Sequence, residues 1–261
     1  MKRILRSPWL ITPLFLGLLI ALWHFYVTHN DVSSFILPRP GAVFDALREV
    51  MSKGRTYHHA WVTTQEILLG FVIGVGFGVI VGLLLAKAPV IERSLNPLIV
   101  AAQVAPKTPL VPLLIVWFGY GATPKVLIAA LLAFFPVFRN TLLGLKSIPA
   151  GFRDVSVIAQ MSRRQRFLHM EMPYASPYIL TSMEMAMVLS VIGVIVGEFL
   201  AGNEGLGYLV VQAMNNLDVD TLFAYLILLT LLGYLLHLAV SVLKQRAIPW
   251  HESEQMNEVS A

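Results

Sequence analysis

The sequence predicts an all-α membrane protein with six spans, and three observations carry that prediction. Of 261 residues 57% are hydrophobic and only 13% charged, against about 25% charged in a soluble domain. The mean hydropathy is +0.72. The apolar residues fall in runs of about twenty, enough for a helix to cross the ~30 Å hydrocarbon core of a bilayer. The formal net charge of +4 does not point to nucleic acid, because the basic residues lie between apolar runs and form no single stripe. With no cysteine, disulfides, thiolate metal sites and a cysteine nucleophile are excluded, and the redox compartment is unreadable.

The expected spans are 9–27, 63–86, 95–118, 125–143, 177–200 and 221–243, in one transmembrane domain covering 1–261. The first follows the basic start Met1-Lys2-Arg3-Ile4-Leu5-Arg6. It is too long for a signal h-region and lacks a small-x-small site before His29, so it is read as a retained span. Orientation follows from lysine and arginine placement. With a cytoplasmic N-terminus, 13 of the 19 fall inside, among them Lys87, Arg139, Lys146, Arg163, Arg164, Arg166 and Lys244. Arg39, Arg48, Lys53, Arg55 and Lys125 fall outside and Lys107 lies within a span, so both termini are expected in the cytoplasm.

Between the first two spans, Pro38 and Pro40 predict an extended stretch. Val43, Phe44, Leu47, Val50 and Met51 then predict an amphipathic helix lying in the interface, whose plain role is to lead the chain back into the membrane. Gly70, Gly74, Gly78 and Gly82 recur every four residues in the second span and so line one face, a signal for close helix packing. The third span holds Gln103, Pro106, Lys107, Pro109 and Pro112. A helix so interrupted survives in lipid only where other groups satisfy the freed carbonyls, and broken helices of this kind line substrate paths. Gln103, Pro106 and Lys107 are therefore candidates for a translocation path or a domain interface, the alternatives being a plain kink and a snorkelling lysine.

The fourth span precedes the one sizeable cytoplasmic loop, 144–172. There, apolar positions 152, 155, 158, 159 and 161 predict a short helix through Met161. Ser162 and Gln165 form a capping-box pattern that starts a second helix, with Pro173 ending it before the fifth span. Two such helices make either a docking surface for a peripheral partner or an interfacial pair with none. The fifth span carries Glu184 near its inner end and Glu198 near its outer end. Fourteen residues place them within about 40° of one face but about 21 Å apart, too far to share acid and base roles on one small substrate. Glu198 is a candidate gate, anchor or ion-pair member, and Glu184 reads as structural. The stretch 201–220, with Gly202, Gly205 and Gly207, reads as an outer loop, and the last eleven residues as a frayed tail.

No P-loop and no HExxH occurs. The seven histidines make no metal pattern, and no nucleophile, base or metal set clusters, so an enzyme is disfavoured and no metal or catalytic residue is assigned.

The loop resembles the EAA loop of permease subunits of ATP-binding-cassette importers. Asp154-Val155-Ser156, Gln160 and Met170-Glu171-Met172-Pro173 stand at its conserved spacing. The rest of the chain is similar to the sulfonate, taurine, nitrate and pyrimidine-precursor group of these permeases. The similarity runs through Pro106-Lys107, Leu110-Val111-Pro112-Leu113, Trp117-Phe118-Gly119-Tyr120-Gly121, Phe135-Pro136-Val137, Asn140-Thr141, Gly197-Glu198-Phe199 and Gly205-Leu206-Gly207-Tyr208. It spans about residues 35 to 250. The resemblance implies the type I importer permease fold, a bacterial inner-membrane subunit that dimerises, and a separate ATPase carrying the ATP, with no cofactor in this chain. It also implies a partner extracytoplasmic solute-binding protein and transport of a small organic solute, an anion among the candidates. The ATPase-coupling residues would be Asp154, Val155, Ser156, Ala159, Gln160 and Met161, flanked by Arg163 and Arg164. Two positions depart from the pattern. Gln160 stands where the family has glycine, so a left-handed turn there would be strained by its side chain, and Glu184 stands where the group has arginine. A secondary transporter or channel acting alone is the alternative reading.

Overall fold

The computed structural model describes residues 8–248, and among them every regular element is a helix. In chain order these are α1 (Pro8–His29), α2 (Pro40–Ser52), α3 (Gly54–Ala86), α4 (Pro89–Val104), α5 (Leu110–Phe118), α6 (Ala122–Lys146), α7 (Ala150–Ile158) and α8 (Arg163–Arg166). A π-helical turn, Phe167–Glu171, leads into α9 (Met172–Ala201), followed by α10 (Leu206–Asn215) and α11 (Val219–Ala247). The basic start and the last eleven residues lie outside the described residues.

Five of these stretches are long and apolar enough to cross a membrane: 11–29, α3, α6, 163–200 and α11. The expected third span, 95–118, is two helices instead, α4 and α5, parted at 105–109 where Ala105 turns extended (ψ 135°) and Pro109 restarts the helix. Prolines at 106 and 109 remove the backbone donors that a continuous helix needs.

The centre of the bundle is α3, α6 and α9, around Ile67, Phe71, Ala129, Ala133, Val137, Ala186, Met187 and Val194. The four glycines at 70, 74, 78 and 82 all face α6. A Cβ on Gly74 would come within 2.5 Å of the Ala130 carbonyl oxygen, and one on Gly78 within 3.0 Å of that of Phe134. Missing side chains here let two backbones touch, which is how helices associate where lipid removes the hydrophobic drive. In contrast, α1 stands at the rim, meeting the bundle through buried Val27 and the Trp23–Phe223 ring pair.

Three further sequence expectations need correction. The amphipathic stripe of α2 does not lie wholly on a membrane surface. Val43, Ala46 and Val50 are buried, Ala46 and Val50 in one cluster with residues of α10 and α11, whereas Phe44 and Met51 are exposed. Positions 43, 46 and 50 fall on one face at 100° per residue, whereas 44 and 51 are turned away from it. The stretch 201–220 is not all loop, because Leu206, Leu209, Val210 and Ala213 form the buried face of α10. Finally, Pro173 does not end a helix, since the chain is helical from Arg163 through Ala201. The wider turn at 167–171, in which the Met172 N–H donates to the Phe167 carbonyl, absorbs the proline that an unbroken α-helix would reject.

Candidate functional site

At the α7 end, the loop after α6 folds back as two short helices. α7 stops at Ile158, three residues before the expected end, with Ala159 as its cap. The Met161 N–H donates to the Ser156 carbonyl and the Gln160 N–H to that of Val157, both at 3.0 Å, the double closure of a Schellman cap. It places Gln160 at φ +49°, the left-handed conformation that glycine adopts without cost. The capping box that starts α8 is present: Ser162 Oγ accepts the Gln165 N–H at 3.3 Å and Gln165 Oε1 accepts the Ser162 N–H at 2.9 Å.

Asp154, Val155, Ala159, Gln160, Arg163 and Arg164 are exposed, Met161 is half-buried and Ser156 is buried. With Val155 at 55%, Val157 at 72% and Ile158 at 82% exposure, α7 carries an uncovered apolar surface outside the spans. Its anchor to the bundle is Phe152, edge-on to Tyr174 at 5.9 Å between ring centres.

The break between α4 and α5 lies at mid-depth. The Lys107 ammonium sits 5.2 Å from the ring centre of Phe135, halfway along α6, and donates to the Gln103 carbonyl. It therefore does not snorkel to either end. Gln103 and Pro106 are exposed and Lys107 half-exposed.

Glu198 lies elsewhere, in a buried polar network at the opposite end from α7. It is 1% exposed and both of its oxygens are used. Oε1 accepts from the Thr63 hydroxyl at 2.7 Å and Oε2 accepts the Gly207 N–H at 2.6 Å. Thr63 in turn accepts the Leu206 N–H at 2.8 Å, and His59 Nδ1 accepts that of Gly205 at 2.9 Å. These are the free donors at the N-terminus of α10, where a carboxylate is favoured by the helix dipole. Gly205, at φ +113°, leaves no room for a Cβ beside the Glu198 carboxyl.

Next to it, Lys125 forms an ion pair with Glu66 and donates to the Glu204 carbonyl at 3.3 Å. Lys125, expected on the outer surface, is 1% exposed, and Glu66 is 3% exposed. The pair borders a cavity of ≈ 390 Å³ reached by Gln65, Asn203 and Glu204. Sequence reading missed Glu66, Thr63 and His59 altogether. Their signal was spacing, because 59, 63, 66, 70 and 74 fall on one face of α3, continuous with its glycine stripe. Glu184, by contrast, pairs with Lys244 at 3.2 Å and so ties α9 to α11.

The family model described as "binding-protein-dependent transport system inner membrane component" matches residues 74–249. The chain is 33% identical over 246 residues to the riboflavin transport system permease protein RibX of Chloroflexus aurantiacus, covering 94% of this chain and 92% of that protein. It is 34% identical over 221 residues to the formylaminopyrimidine transport permease protein ThiX of Halalkalibacterium halodurans, covering 84% and 88%. The inward-facing MetNI methionine ABC transporter structure matches with a TM-score of 0.62 at 20% identity, over 72% of this chain and 94% of that one, and shares the fold. The chain thus belongs to the binding-protein-dependent transport system inner membrane component family, as a multi-pass permease subunit of an ATP-binding-cassette importer working with an ATPase and a binding protein.

Proposed function

We propose that the chain is one half of a homodimeric translocation unit. It passes a small organic solute, an anion by preference, from an extracytoplasmic binding protein into the bacterial cytoplasm, while ATP is bound and hydrolysed wholly on a separate subunit seated on α7. The observation that carries this reading is the uncovered apolar surface of α7, formed by Val155, Val157 and Ile158 on a loop outside the spans. Val155 and Ile158 share a face and Val157 stands on another, so α7 presents apolar side chains to water on more than one side, and exposed apolar surface of this kind marks a contact surface. Asp154, Ala159, Gln160 and Arg164 border that surface, where charged hydrogen bonds add specificity.

The orientation rests on charge. Lys87, Arg93, Arg139, Lys146, Arg163, Arg164, Arg166, Lys244 and Arg246 gather at the α7 end, against Arg39, Arg48, Lys53 and Arg55 at the other, which supports a cytoplasmic loop and cytoplasmic termini. The dimer and path rest on α4 and α5. Exposed Gln103 and half-exposed Lys107 at mid-depth cost several kcal/mol against lipid, a cost removed when a second copy faces them across a wet path. Lys107 there gives the path its preference for an anion. The relatives named for riboflavin and formylaminopyrimidine transport support a small organic solute.

The test is Ala159→Glu, on the exposed rim of α7. The variant inserts and accumulates normally, fails to retain the ATPase on purification, and loses solute-stimulated hydrolysis. Normal assembly and transport by this variant would sink the assignment of α7 as the coupling element.

A further inference from the structure

At the α7 end, three separate stretches of chain bring four cations around one concavity of ≈ 500 Å³. Lys87 comes from the end of α3, Lys146 from the end of α6, and Arg163 and Arg166 from α8. We propose that this cavity binds a phosphate group, carried either by an anionic phospholipid of the adjacent leaflet or by a free phosphate-bearing anion. It adjoins the exposed apolar surface of α7 through Phe152 and Arg163 without including Val155, Val157 or Ile158, and it rests on the importer reading only for which leaflet it faces.

The local charge is unbalanced. Lys146 is held by Glu92 at 2.6 Å and Arg166 by Glu171 at 3.1 Å. Among the described residues Lys87 and Arg163 have no carboxylate within ion-pair distance, and the Lys87 ammonium lies instead 4.8 Å from the ring centre of Phe167. Four cations against two carboxylates leave an excess of two positive charges, which a phosphodiester offsets by half and a dianionic phosphate in full. Arg163 brings a planar fork and Lys87 a mobile point charge, the two donor types that phosphate oxygens accept.

Lysines at helix ends are ordinary taken one by one, because they complement the dipoles of α3 and α6 and hold the loop on one side of the membrane. That account does not explain why Arg163 and Arg166, which follow α7 within the loop, turn back to the same concavity. The position fits the ligand. Lys87 caps α3 and Lys146 is the last residue of α6, so both lie where the chain leaves the hydrocarbon and lipid phosphates begin. Basic pockets between spans at this level bind anionic head groups. Ile148 and Met170 line the same cavity and give an apolar wall for a glycerol or acyl segment. A bound phosphate would link the α7–α8 loop to the ends of α3 and α6, bracing the part on which the ATPase acts.

The experiment uses the purified full-length chain in neutral detergent. It measures retained adducts by native mass spectrometry with short-chain phosphatidylglycerol, short-chain phosphatidylcholine and inorganic phosphate as separate probes. Wild type retains phosphatidylglycerol in preference to phosphatidylcholine. The double variant Lys87→Gln, Lys146→Gln weakens that retention by about tenfold or more, whereas Arg48→Gln at the opposite end changes nothing. Lys87→Arg with Lys146→Arg restores it, which separates loss of charge from loss of fold. Inorganic phosphate protecting the protein from thermal unfolding as well as the lipid does assigns the source to a free anion, and protection by the lipid alone assigns it to the membrane. Equal retention of the two lipids with no effect of phosphate, equal retention by wild type and the glutamine variant, or loss in the arginine variant overturns the site. The readout needs neither ATPase nor solute, so its failure leaves the importer reading standing.

Discussion

The Glu198 carboxylate accepts the backbone N–H of Gly207 at 2.6 Å. Through that bond, α9 supplies the N-terminal cap of α10 across a sharp turn. The same carboxylate holds Thr63 of α3, so one buried side chain fastens three helices.

Replacing Glu198 by Ala therefore leaves the Gly207 N–H and the Thr63 hydroxyl unpaired in a dry place. A cost of about 3 kcal/mol or more is expected, since bonds to charged groups are worth about 1.5–3 kcal/mol each. Glu198→Gln keeps one acceptor oxygen and loses less. Thermal unfolding of the detergent-purified variants ranks wild type above Gln above Ala, and an Ala variant as stable as wild type removes the capping role.

For the buried Glu66–Lys125 pair, removing one partner is worse than removing both. Glu66→Met or Lys125→Met alone each strands a buried charge, costing about 3–5 kcal/mol, whereas the double Met variant recovers most of that loss. The double-mutant cycle measured by chemical unfolding is expected to give a coupling above about 2 kcal/mol. Additive losses would show that the pair is not coupled.

Glycines of α3 offer a matched comparison. Gly74→Ala pushes a methyl to 2.5 Å from the Ala130 carbonyl oxygen, whereas a Cβ on Gly76 meets nothing within 4 Å. The first lowers the unfolding temperature. The second leaves it unchanged or raises it, because Ala favours a helix over Gly by about 1 kcal/mol. Equal effects at the two positions would mean that α3 and α6 are not in backbone contact.

In the loop, Gln160 occupies a left-handed conformation (φ +49°). Gln160→Gly keeps the cap, and the variant assembles with its ATPase as wild type does. Gln160→Val puts a β-branched side chain where such residues are outliers and unwinds the turn between α7 and α8. Limited proteolysis then cuts the loop faster in the Val variant only.

The long helices were legible because each rests on a local quantity, hydropathy over about twenty residues. The break at 105–109 was legible as a run of prolines, although not as two separate helices. Less was readable where meaning depends on neighbours distant in sequence. α10 hid behind Gly202, Gly205 and Gly207, which suggest a loop until the Glu198 cap that tolerates them is seen. Lys125 reads as a surface charge at the start of a span, and only the fold brings Glu66 of α3 to it. The stripe on α2 was visible, but its partners lie more than 150 residues later, so which of its apolar residues turn inward was not.

Continuity of helix from Arg163 to Leu200 makes a mechanical rod. From Arg164 beside the turn between α7 and α8 to Glu198 is 34 residues, or about 51 Å at 1.5 Å per residue. A tilt of about 5° about one end sweeps the other by about 4 Å over that length, more than a hydrogen bond can stretch. Work done on the loop thus arrives at the Glu198 junction as leverage, without passing through any side-chain relay.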